Sequence, residues 1–325
     1  KRKPQNKSTR SRAGYTGRGT GGNGAVGCNL VRHLLDLSCR VVVLDDFSQS
    51  KKDNLPSDKK LQIIHGDITS EKTLQKTFAT KYDTVFHLAA RFANEMSVMN
   101  PIEDLRVNVQ GTLQLLLHAA KQKIDRFVYT SSSSIYGSQK NLLFDEKLLL
   151  NPSTPYAASK LSAEHYCNAI KELYGLDYTI VRLSNSYGPF DPPGKYRNVI
   201  PNFFISAMHN KPLTITGTGK ETRDFTFVDD TVRGIILAGT SPKTRNQTFN
   251  LGTGKETRIL EIARMIIQIS NSKSKIIFKP SRSFDHIKRR RMDVSKARRV
   301  FGYSPTISLF EGLEITHDWF KKQVI

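Results

Sequence analysis

The sequence predicts an α/β fold, with a doubly wound parallel sheet followed by a smaller C-terminal α/β substrate-binding region. Strand-like and helix-like runs alternate between residues 20 and 183, a glycine-rich turn precedes the first helix, and polar residues follow the ends of several strands. With 325 residues, 38% of them hydrophobic and 24% charged, the chain can bury a substantial core. Because ligands of such sheets bind at the carboxyl ends of the strands, we expect the functional site there.

The glycine-rich turn contains Gly21, Gly24 and Gly27, and helically spaced apolar residues follow it from Cys28 onward. Glycines at the start of a helix let the backbone approach a pyrophosphate, whose charge the helix N-terminus favours. The alternative is a simple flexible loop. The preceding segment, 11–19, holds three glycines and two arginines, so we expect a weak and irregular first strand.

A second strand, Arg40–Asp45, argues against the flexible-loop interpretation. It ends in a carboxylate about 20 residues after the glycine turn, where dinucleotide-binding proteins hold the adenosine ribose. Asp45 would bind the ribose diol and repel a 2′-phosphate. The sequence therefore favours NAD over NADP.

Further strands continue the alternation at 61–68, 84–90 and 126–131, and a long helix is predicted from Pro101 to about Lys123. The residues that end the first two of these strands would border a bound dinucleotide. We expect Asp67 and Ile68 to contact the adenine. The small residues after Leu88 would let the cofactor lie close to the backbone. The expected cofactor-binding residues of these two strands are Asp67, Ile68, Leu88, Ala89 and Ala90.

Tyr156 and Lys160 lie four residues apart at the start of a predicted amphipathic helix, so both side chains share one helical face. A tyrosine has an ordinary pKa of about 10 and is a poor base at neutral pH unless a cation favours the phenolate. Lys160 is a candidate for that cation. An isolated Tyr-x-x-x-Lys is more often an ordinary helical pair. The interpretation of Tyr156 and Lys160 as functional residues therefore depends on the glycine turn and on the serine run 131–134.

The formal net charge of +21 invites a nucleic-acid interpretation. Basic residues concentrate in a polar N-terminal tail and in Lys288–Arg291, where guanidinium groups would also suit a dianionic substrate. We do not expect nucleic-acid binding, because no recognisable nucleic-acid module accompanies the charge.

The three cysteines lack metal-ligand spacing, so we expect no metal site. A cytoplasmic enzyme is expected, since no apolar run is long enough to cross a bilayer and the first residues are basic and polar.

Together these motifs resemble the extended short-chain dehydrogenase/reductases of the NAD-dependent nucleotide-sugar epimerase/dehydratase group, and most of all UDP-glucose 4-epimerases. The resemblance runs from about Thr20 onward and implies a Rossmann domain with bound NAD. It rests on motifs that occur in the family's order: the glycine turn, His87–Ala90, the serine run with Tyr136–Gly137, Tyr156 with Lys160, Asn185–Pro189 and Arg223–Phe225.

The resemblance also implies roles for individual residues. Tyr156 would be the general base and acid, Lys160 would hold the nicotinamide ribose and lower the tyrosine pKa, and Ser132 would bond the reacting hydroxyl. Asn108 would be a structural asparagine behind the active site and belongs to the expected cofactor-binding set. The substrate diphosphate would be bound by Asn185, Arg223 and Arg289, the last with a register uncertain by one or two residues.

The expected reaction is 4-epimerisation of a nucleotide-diphosphate sugar such as UDP-glucose or UDP-galactose, through a transient 4-keto intermediate. Related 4,6-dehydratases carry an Asp-Glu pair at the positions of Ser133 and Ser134, and related decarboxylases carry a glutamate at the second. Dehydration and decarboxylation are therefore disfavoured. A net oxidoreductase, a dehydratase and a non-catalytic binding protein of the same fold remain alternatives.

The chain is expected to divide into three parts: a basic tail with an irregular first strand (1–18), an NAD-binding domain with the catalytic residues (19–188), and a mainly substrate-binding region that interleaves with it (189–325). The two helices that begin near Pro101 and Thr154 carry more apolar positions than one contact with the sheet requires. We therefore expect a homodimer that packs through them.

Overall fold

The structure is a computed structural model, and it describes residues 16–49, 52–92, 94–139, 143–195, 198–282 and 287–324. Most of the expected basic tail, residues 1–15, lies outside the described residues. No helix in the described ranges is both long and apolar enough to cross a membrane.

The strands and helices alternate through the first half of the chain, as the sequence predicts. The strands are β1 (Thr16–Thr20), β2 (Arg40–Asp45), β3 (Leu61–His65), β4 (Thr84–His87), β5 (Arg126–Ser132), β6 (Leu143–Phe144), β7 (Tyr178–Leu183), β8 (Asn185–Tyr187), β9 (Leu213–Thr216), β10 (Thr222–Arg223), β11 (Phe225–Phe227), β12 (Gln247–Leu251), β13 (Thr257–Arg258), β14 (Ile276–Lys279) and β15 (Arg291–Met292). The helices are α1 (Ala25–Asp36), α2 (Glu71–Thr77), α3 (Asn94–Met99), α4 (Pro101–Leu105), α5 (Thr112–Lys121), α6 (Pro155–Tyr174), α7 (Val199–Met208), α8 (Val228–Thr240), α9 (Ile259–Ile269), α10 (Ser295–Phe301) and α11 (Leu309–Val324).

Seven parallel strands form the central sheet in the order β12-β7-β5-β4-β1-β2-β3. Helices cover both faces: one buried cluster includes α1 and α8, and the other includes α5 and α6. The expected doubly wound α/β fold is confirmed. Cys28, Cys39 and Cys167 are all buried and form no disulfide with one another.

The first strand occupies the centre of the sheet despite its glycine-rich sequence. It pairs with β2 on one side and β4 on the other, over only five residues. Its last residue, Thr20, lies 2.6 Å (Oγ1 to Nδ1) from buried His87, whose Nε2 lies 2.7 Å from Thr112 Oγ1. Hydrogen bonding on both edges and this buried contact hold a strand in which two of the five residues are glycines.

The C-terminal part of the chain interleaves with the central sheet. Strand β12 returns to pair with β7, and α8 packs against the sheet beside α1. The remaining elements, including the parallel pair β9 and β14, form a smaller region next to the carboxyl ends of the strands.

The segment predicted as one helix from Pro101 to about Lys123 consists of two α-helices joined by a π-helical turn, which the apolar spacing did not predict. Between α4 and α5, residues Arg106–Gly111 form a π-helical turn. Such turns occur frequently at functional sites, and this one carries Asn108.

Candidate active site

A cavity of about 600 Å³ opens at the carboxyl ends of the strands, between the sheet and the smaller C-terminal region. Most of the residues predicted from the sequence line it. These are Gly21, Gly24, Gly27, Asp45, Asp67, Ile68, Leu88, Ala89, Ala90, Ser132, Tyr156, Lys160, Asn185 and Arg223.

The glycine turn forms one end of the cavity. Gly21 has a φ of +70°, and a Cβ on it would lie 2.5 Å from the backbone nitrogen of Ala89. A Cβ on Gly27 would overlap the carbonyl oxygen of Gly21, whereas one on Gly24 would meet nothing closer than 3.5 Å. Gly24 caps α1 without a side-chain hydrogen bond, so the first N–H groups of α1 remain available to an anion. This cradle fits a pyrophosphate.

Asp45 ends β2 beside the glycine turn. Its two carboxylate oxygens accept hydrogen bonds from the backbone nitrogens of Asn23 (2.9 Å) and Phe47 (2.8 Å). Burial raises the pKa of Asp45, and the two hydrogen bonds oppose that rise. The carboxylate is therefore held in one orientation in the cavity wall, where it can accept hydrogen bonds from a ribose diol.

Asp67 and Ile68 follow β3 at the adjoining part of the wall. The Asp67 carboxylate accepts hydrogen bonds from the Thr69 backbone nitrogen (2.8 Å) and from Arg106 (3.0 Å). Burial alone would raise the pKa of Asp67, but these bonds lower it overall, so the group is ionised at neutral pH.

Tyr156, Ser132 and Lys160 meet at the centre of the cavity. Burial, and then the charge of Asp104, raise the pKa of Tyr156 above its ordinary value, against the opposing effect of the Ser132 hydroxyl group. Lys160 lies with Nζ 5.9 Å from the centre of the Tyr156 ring and donates to the carbonyl oxygen of Thr130 at 2.9 Å. Burial lowers the pKa of Lys160 to about 8.

The expectation that Lys160 lowers the pKa of Tyr156 stays a prediction. The overall direction is upward because burial and the charge of Asp104 raise that pKa, and the Lys160 ammonium group donates to a backbone carbonyl oxygen rather than to the phenol. Without ligands, Tyr156 is a proton donor at neutral pH.

The serine run turns from β5 into a short 3-10 helix, Ser133–Tyr136. The Ser134 hydroxyl and backbone N–H both donate to Ser132 Oγ, at 2.9 and 3.2 Å. Ser133 Oγ accepts a hydrogen bond from Arg290 at 3.2 Å. Ser134 thereby orients Ser132, and Arg290 orients Ser133.

Asn108 does not line the cavity. It lies behind the loop that follows β4, with its side-chain oxygen accepting from the backbone nitrogen of Arg91 at 2.8 Å and its amide donating to the Arg91 carbonyl oxygen at 3.2 Å. These contacts agree with a structural asparagine that supports the cavity wall from outside.

The basic cluster contributes Arg290, not Arg289, to the cavity wall. Arg289 is exposed and forms an ion pair with Glu256 away from the cavity. Residues alternate in direction along an extended segment, so Arg290 points to the same side as Met292, which is fully buried. The apolar Met292, two residues after Arg290, was the sequence signal that Arg290 rather than Arg289 faces inward.

Asn185 lies on β8, which pairs with β11, and Arg223 ends β10, which pairs with β13; only Asp224 separates β10 from β11. The Asn185 backbone nitrogen donates to the Asp224 carbonyl oxygen at 3.0 Å. The buried Asp224 carboxylate also accepts from the backbone nitrogens of Gly254 (2.9 Å) and Met292 (3.4 Å). Asp224 thus fixes the positions of the strand carrying Arg223 and the segment carrying Arg290.

The model of the NAD-dependent epimerase/dehydratase family matches residues 20–252. The chain belongs to this family. The UDP-glucose 4-epimerase of Mycolicibacterium smegmatis is 35% identical to it over 308 residues, which cover 94% of this chain and 98% of that protein. The NAD cofactor follows from family membership, and the glycine cradle and Asp45 fit it.

Solved structures of the family are closely similar to this chain. An epimerase from Methanothermobacter thermautotrophicus has a TM-score of 0.94 and 40% identity, covering 97% of this chain and 94% of that one. The UDP-glucose 4-epimerase of Thermotoga maritima with UDP-glucose has a TM-score of 0.91 and 30% identity, covering 95% and 100%. That of Thermus thermophilus, in complex with NAD, has a TM-score of 0.88 and 27% identity, covering 94% and 99%.

Family membership alone does not select the reaction. A UDP-N-acetyl-α-D-glucosaminuronate decarboxylase of Bacillus cytotoxicus is 32% identical over 93% of this chain and 97% of that protein. The dTDP-D-glucose 4,6-dehydratase of Bos taurus is 30% identical over 93% of this chain and 88% of that protein. The reaction must therefore be argued from the residues around Tyr156.

Proposed function

We propose that this protein is an NAD-dependent 4-epimerase of a nucleotide-diphosphate sugar, with UDP-glucose and UDP-galactose as the first pair to test. The observation that carries the proposal is the environment of the Tyr156–Ser132 pair. Hydroxyl groups, at Ser133 and Ser134, occupy the positions where the related dehydratases carry an acid and a base.

Epimerisation at a carbinol carbon needs one group that removes and returns a proton. Tyr156, which lines the cavity together with Ser132, can hold that proton, and Ser132 can orient the reacting hydroxyl. When bound, NAD would supply reversible oxidation of the carbon and a positive charge, which favours a phenolate. Tyr156 would then act as a base and, when the proton returns, as an acid.

Two arginines would hold the diphosphate of the substrate while the sugar rotates in the cavity. Arg223 and Arg290 both line the cavity. A guanidinium group forms paired hydrogen bonds to phosphate oxygens, so two of them would anchor the nucleotide independently of the sugar's orientation. Because Arg289 is paired with Glu256 away from the cavity, Arg290 takes its place in this proposal.

Dehydration and decarboxylation lack their expected groups. A serine hydroxyl cannot replace a carboxyl group as an acid or base near neutral pH, because it does not titrate in that range. In addition, Ser134 already donates to Ser132 and Ser133 already accepts from Arg290. Ser134 thus supports Ser132, and Ser133 supports Arg290.

The test is incubation of the purified protein with UDP-glucose, and separately with UDP-galactose, without added NAD. Convergence of both reactions on the same mixture of the two sugars, observed by NMR, would support epimerisation with retained cofactor. Stoichiometric NADH would indicate a net oxidoreductase, and a 4-keto-6-deoxy product a dehydratase. Absence of turnover with any tested sugar, in a protein that binds neither NAD nor substrate, would contradict the proposal.

A further inference from the structure

A buried carboxylate lies directly behind the catalytic helix. Asp104, on α4, is only 2% exposed, and neither the sequence motifs nor the cavity lining includes it. Its Oδ2 accepts a hydrogen bond from Ser159 Oγ at 2.5 Å. Ser159 stands on α6 between Tyr156 and Lys160, so this bond ties the helix that carries both groups to α4.

The second oxygen of the same carboxylate supports the opposite wall of the site. Asp104 Oδ1 accepts from the Asn108 amide at 2.8 Å, and Asn108 holds the backbone of Arg91 through two further bonds. The next residue, Phe92, places its ring edge-on to Tyr156, with 6.0 Å between the ring centres. One side chain thereby connects α6 with the loop that faces Tyr156.

Asp104 also acts on the two groups by its charge. It favours the protonated forms of both Lys160 and Tyr156. The other titratable groups facing them, among the described residues, are Glu164 on α6, His87 on β4 and Tyr129 on β5, whose ring centre lies 5.0 Å from Lys160 Nζ. His87 is neutral, because burial and the charge of Lys160 lower its pKa. Glu164 is itself paired with buried Arg182 at 2.8 Å, so Asp104 is the carboxylate whose charge Lys160 balances. Burial raises the pKa of Asp104, and the bond from Ser159, the charge of Lys160 and the bond from Asn108 oppose that rise.

We propose that Asp104 is a positioning residue of the active site, which orients Tyr156 and Lys160 through Ser159 and sets the pH range in which the pair works. The proposal rests on the proposed epimerase function for its kinetic consequences. Its structural and electrostatic consequences can be measured without turnover.

The first test is Asp104→Asn, which removes the charge at almost constant volume. Since the carboxylate stabilises the protonated forms of Tyr156 and Lys160, both limbs of the pH profile of kcat/KM should move to lower pH, by roughly one unit. The matched control is Glu172→Gln, the same change at an exposed position of α6, whose profile should superimpose on that of the wild type. An unchanged Asp104→Asn profile would overturn the proposal.

The second test separates orientation from charge. Ser159→Ala removes the tether and keeps the carboxylate, so kcat should fall about tenfold with little change in KM and with both pH limbs in place. Wild-type kcat in this variant would contradict the orienting role. If Asp104→Asn does not fold, Ser159→Ala decides the question.

A spectroscopic measurement keeps this inference independent of the proposed reaction. The phenolate absorbance of Tyr156 in the NAD-bound protein is isolated by subtracting the spectrum of Tyr156→Phe, and in the variant by subtracting that of Asp104→Asn/Tyr156→Phe. A midpoint about one pH unit lower in Asp104→Asn supports the proposal even if no tested sugar is epimerised. Equal midpoints overturn it even if the epimerase assignment holds.

Discussion

Tyr156 combines two properties that a proton-transfer residue needs: it is buried in the cavity wall, and it shares the cavity with the hydroxyl group of Ser132. Replacement by phenylalanine keeps the ring contact with Phe92 and removes only the hydroxyl group. We expect Tyr156→Phe to lower kcat by roughly 10²- to 10⁴-fold, because the proton would have no protein acceptor. Initial rates with UDP-glucose and UDP-galactose check this.

The control for this prediction is Tyr174→Phe, the same change at an exposed position of the same helix. Its kcat should equal that of the wild type, and both variants should retain bound NAD. A Tyr156→Phe variant with near wild-type kcat would refute the assignment of Tyr156 as the proton carrier.

Lys160 gives the site a pH dependence of its own. Because burial lowers its pKa to about 8, the ammonium group is present below that pH and is lost above it. Activity that depends on this positive charge should therefore decline as the pH rises through about 8. Lys160→Arg should have a lower rate at neutral pH but no decline in this range, since a guanidinium group stays protonated.

Rate measurements across neutral and alkaline pH, with protein stability monitored in parallel, check this expectation. Because the wild-type and variant proteins share every other titratable group, they differ only at residue 160. An identical alkaline decline in both would assign it to another group.

At the scale of elements, substitutions in the glycine turn can distinguish its contribution to folding stability from its contribution to cofactor binding. Gly21 combines a positive φ with close contact to Ala89, so Gly21→Ala should destabilise the fold by about 1 to 3 kcal/mol. Gly24→Ala should keep the stability of the wild type, because its Cβ meets nothing closer than 3.5 Å, yet it should weaken NAD binding by intruding on the pyrophosphate.

Urea denaturation of cofactor-stripped protein and calorimetric titration with NAD measure the two effects. Each variant serves as the control for the other. The interpretation of the turn fails if Gly24→Ala binds NAD as tightly as the wild type, or if Gly21→Ala is fully stable.

The elements that the sequence predicted well are those with simple periodicity. Strand β2 has the predicted bounds, and α6 begins within one residue of its prediction, because buried runs and a Thr-Pro helix start are local signals. The π-helical turn Arg106–Gly111 was not predictable, since it depends on tertiary contacts: Asn108 reaches back to Arg91, and Gly111 packs against Ile68. Asp104 was missed for the same reason, because an aspartate in a first helical turn looks like an ordinary partner of the helix dipole.

For the whole molecule, the charge of +21 does not indicate where the basic residues lie. Two of the arginines, for example, are buried inside the structure. Arg182 forms a buried ion pair with Glu164 and also donates to the Tyr136 hydroxyl at 2.9 Å, and Arg126 donates to Thr179 at 2.8 Å. A count of charges cannot distinguish such buried partners from an exposed basic patch, because burial depends on the fold.

The outer face of α3 to α6 carries the molecule's most extensive set of exposed apolar helical residues among those described. Ile102 is 79% exposed, and the same helices expose further large side chains: Val98, Met99, Leu105, Leu117, Leu173 and Tyr174. Contiguous exposed apolar surface on a folded protein commonly marks an interface. We propose that two copies of the chain pack through this face.

Sedimentation velocity at micromolar concentration should show a dimer, and Ile102→Glu should shift it towards monomer because a charge would be buried at the interface. Leu149→Glu is the matched control, since Leu149 is 86% exposed in a loop outside these helices, and it should leave assembly unchanged. A wild-type monomer, or equal dissociation of both variants, would contradict the dimer. If Ile102→Glu is monomeric but keeps the kcat of the wild type, catalysis does not require the dimer. If kcat falls together with dimer formation, the contact across α4 and α6 stabilises the helix that carries Tyr156.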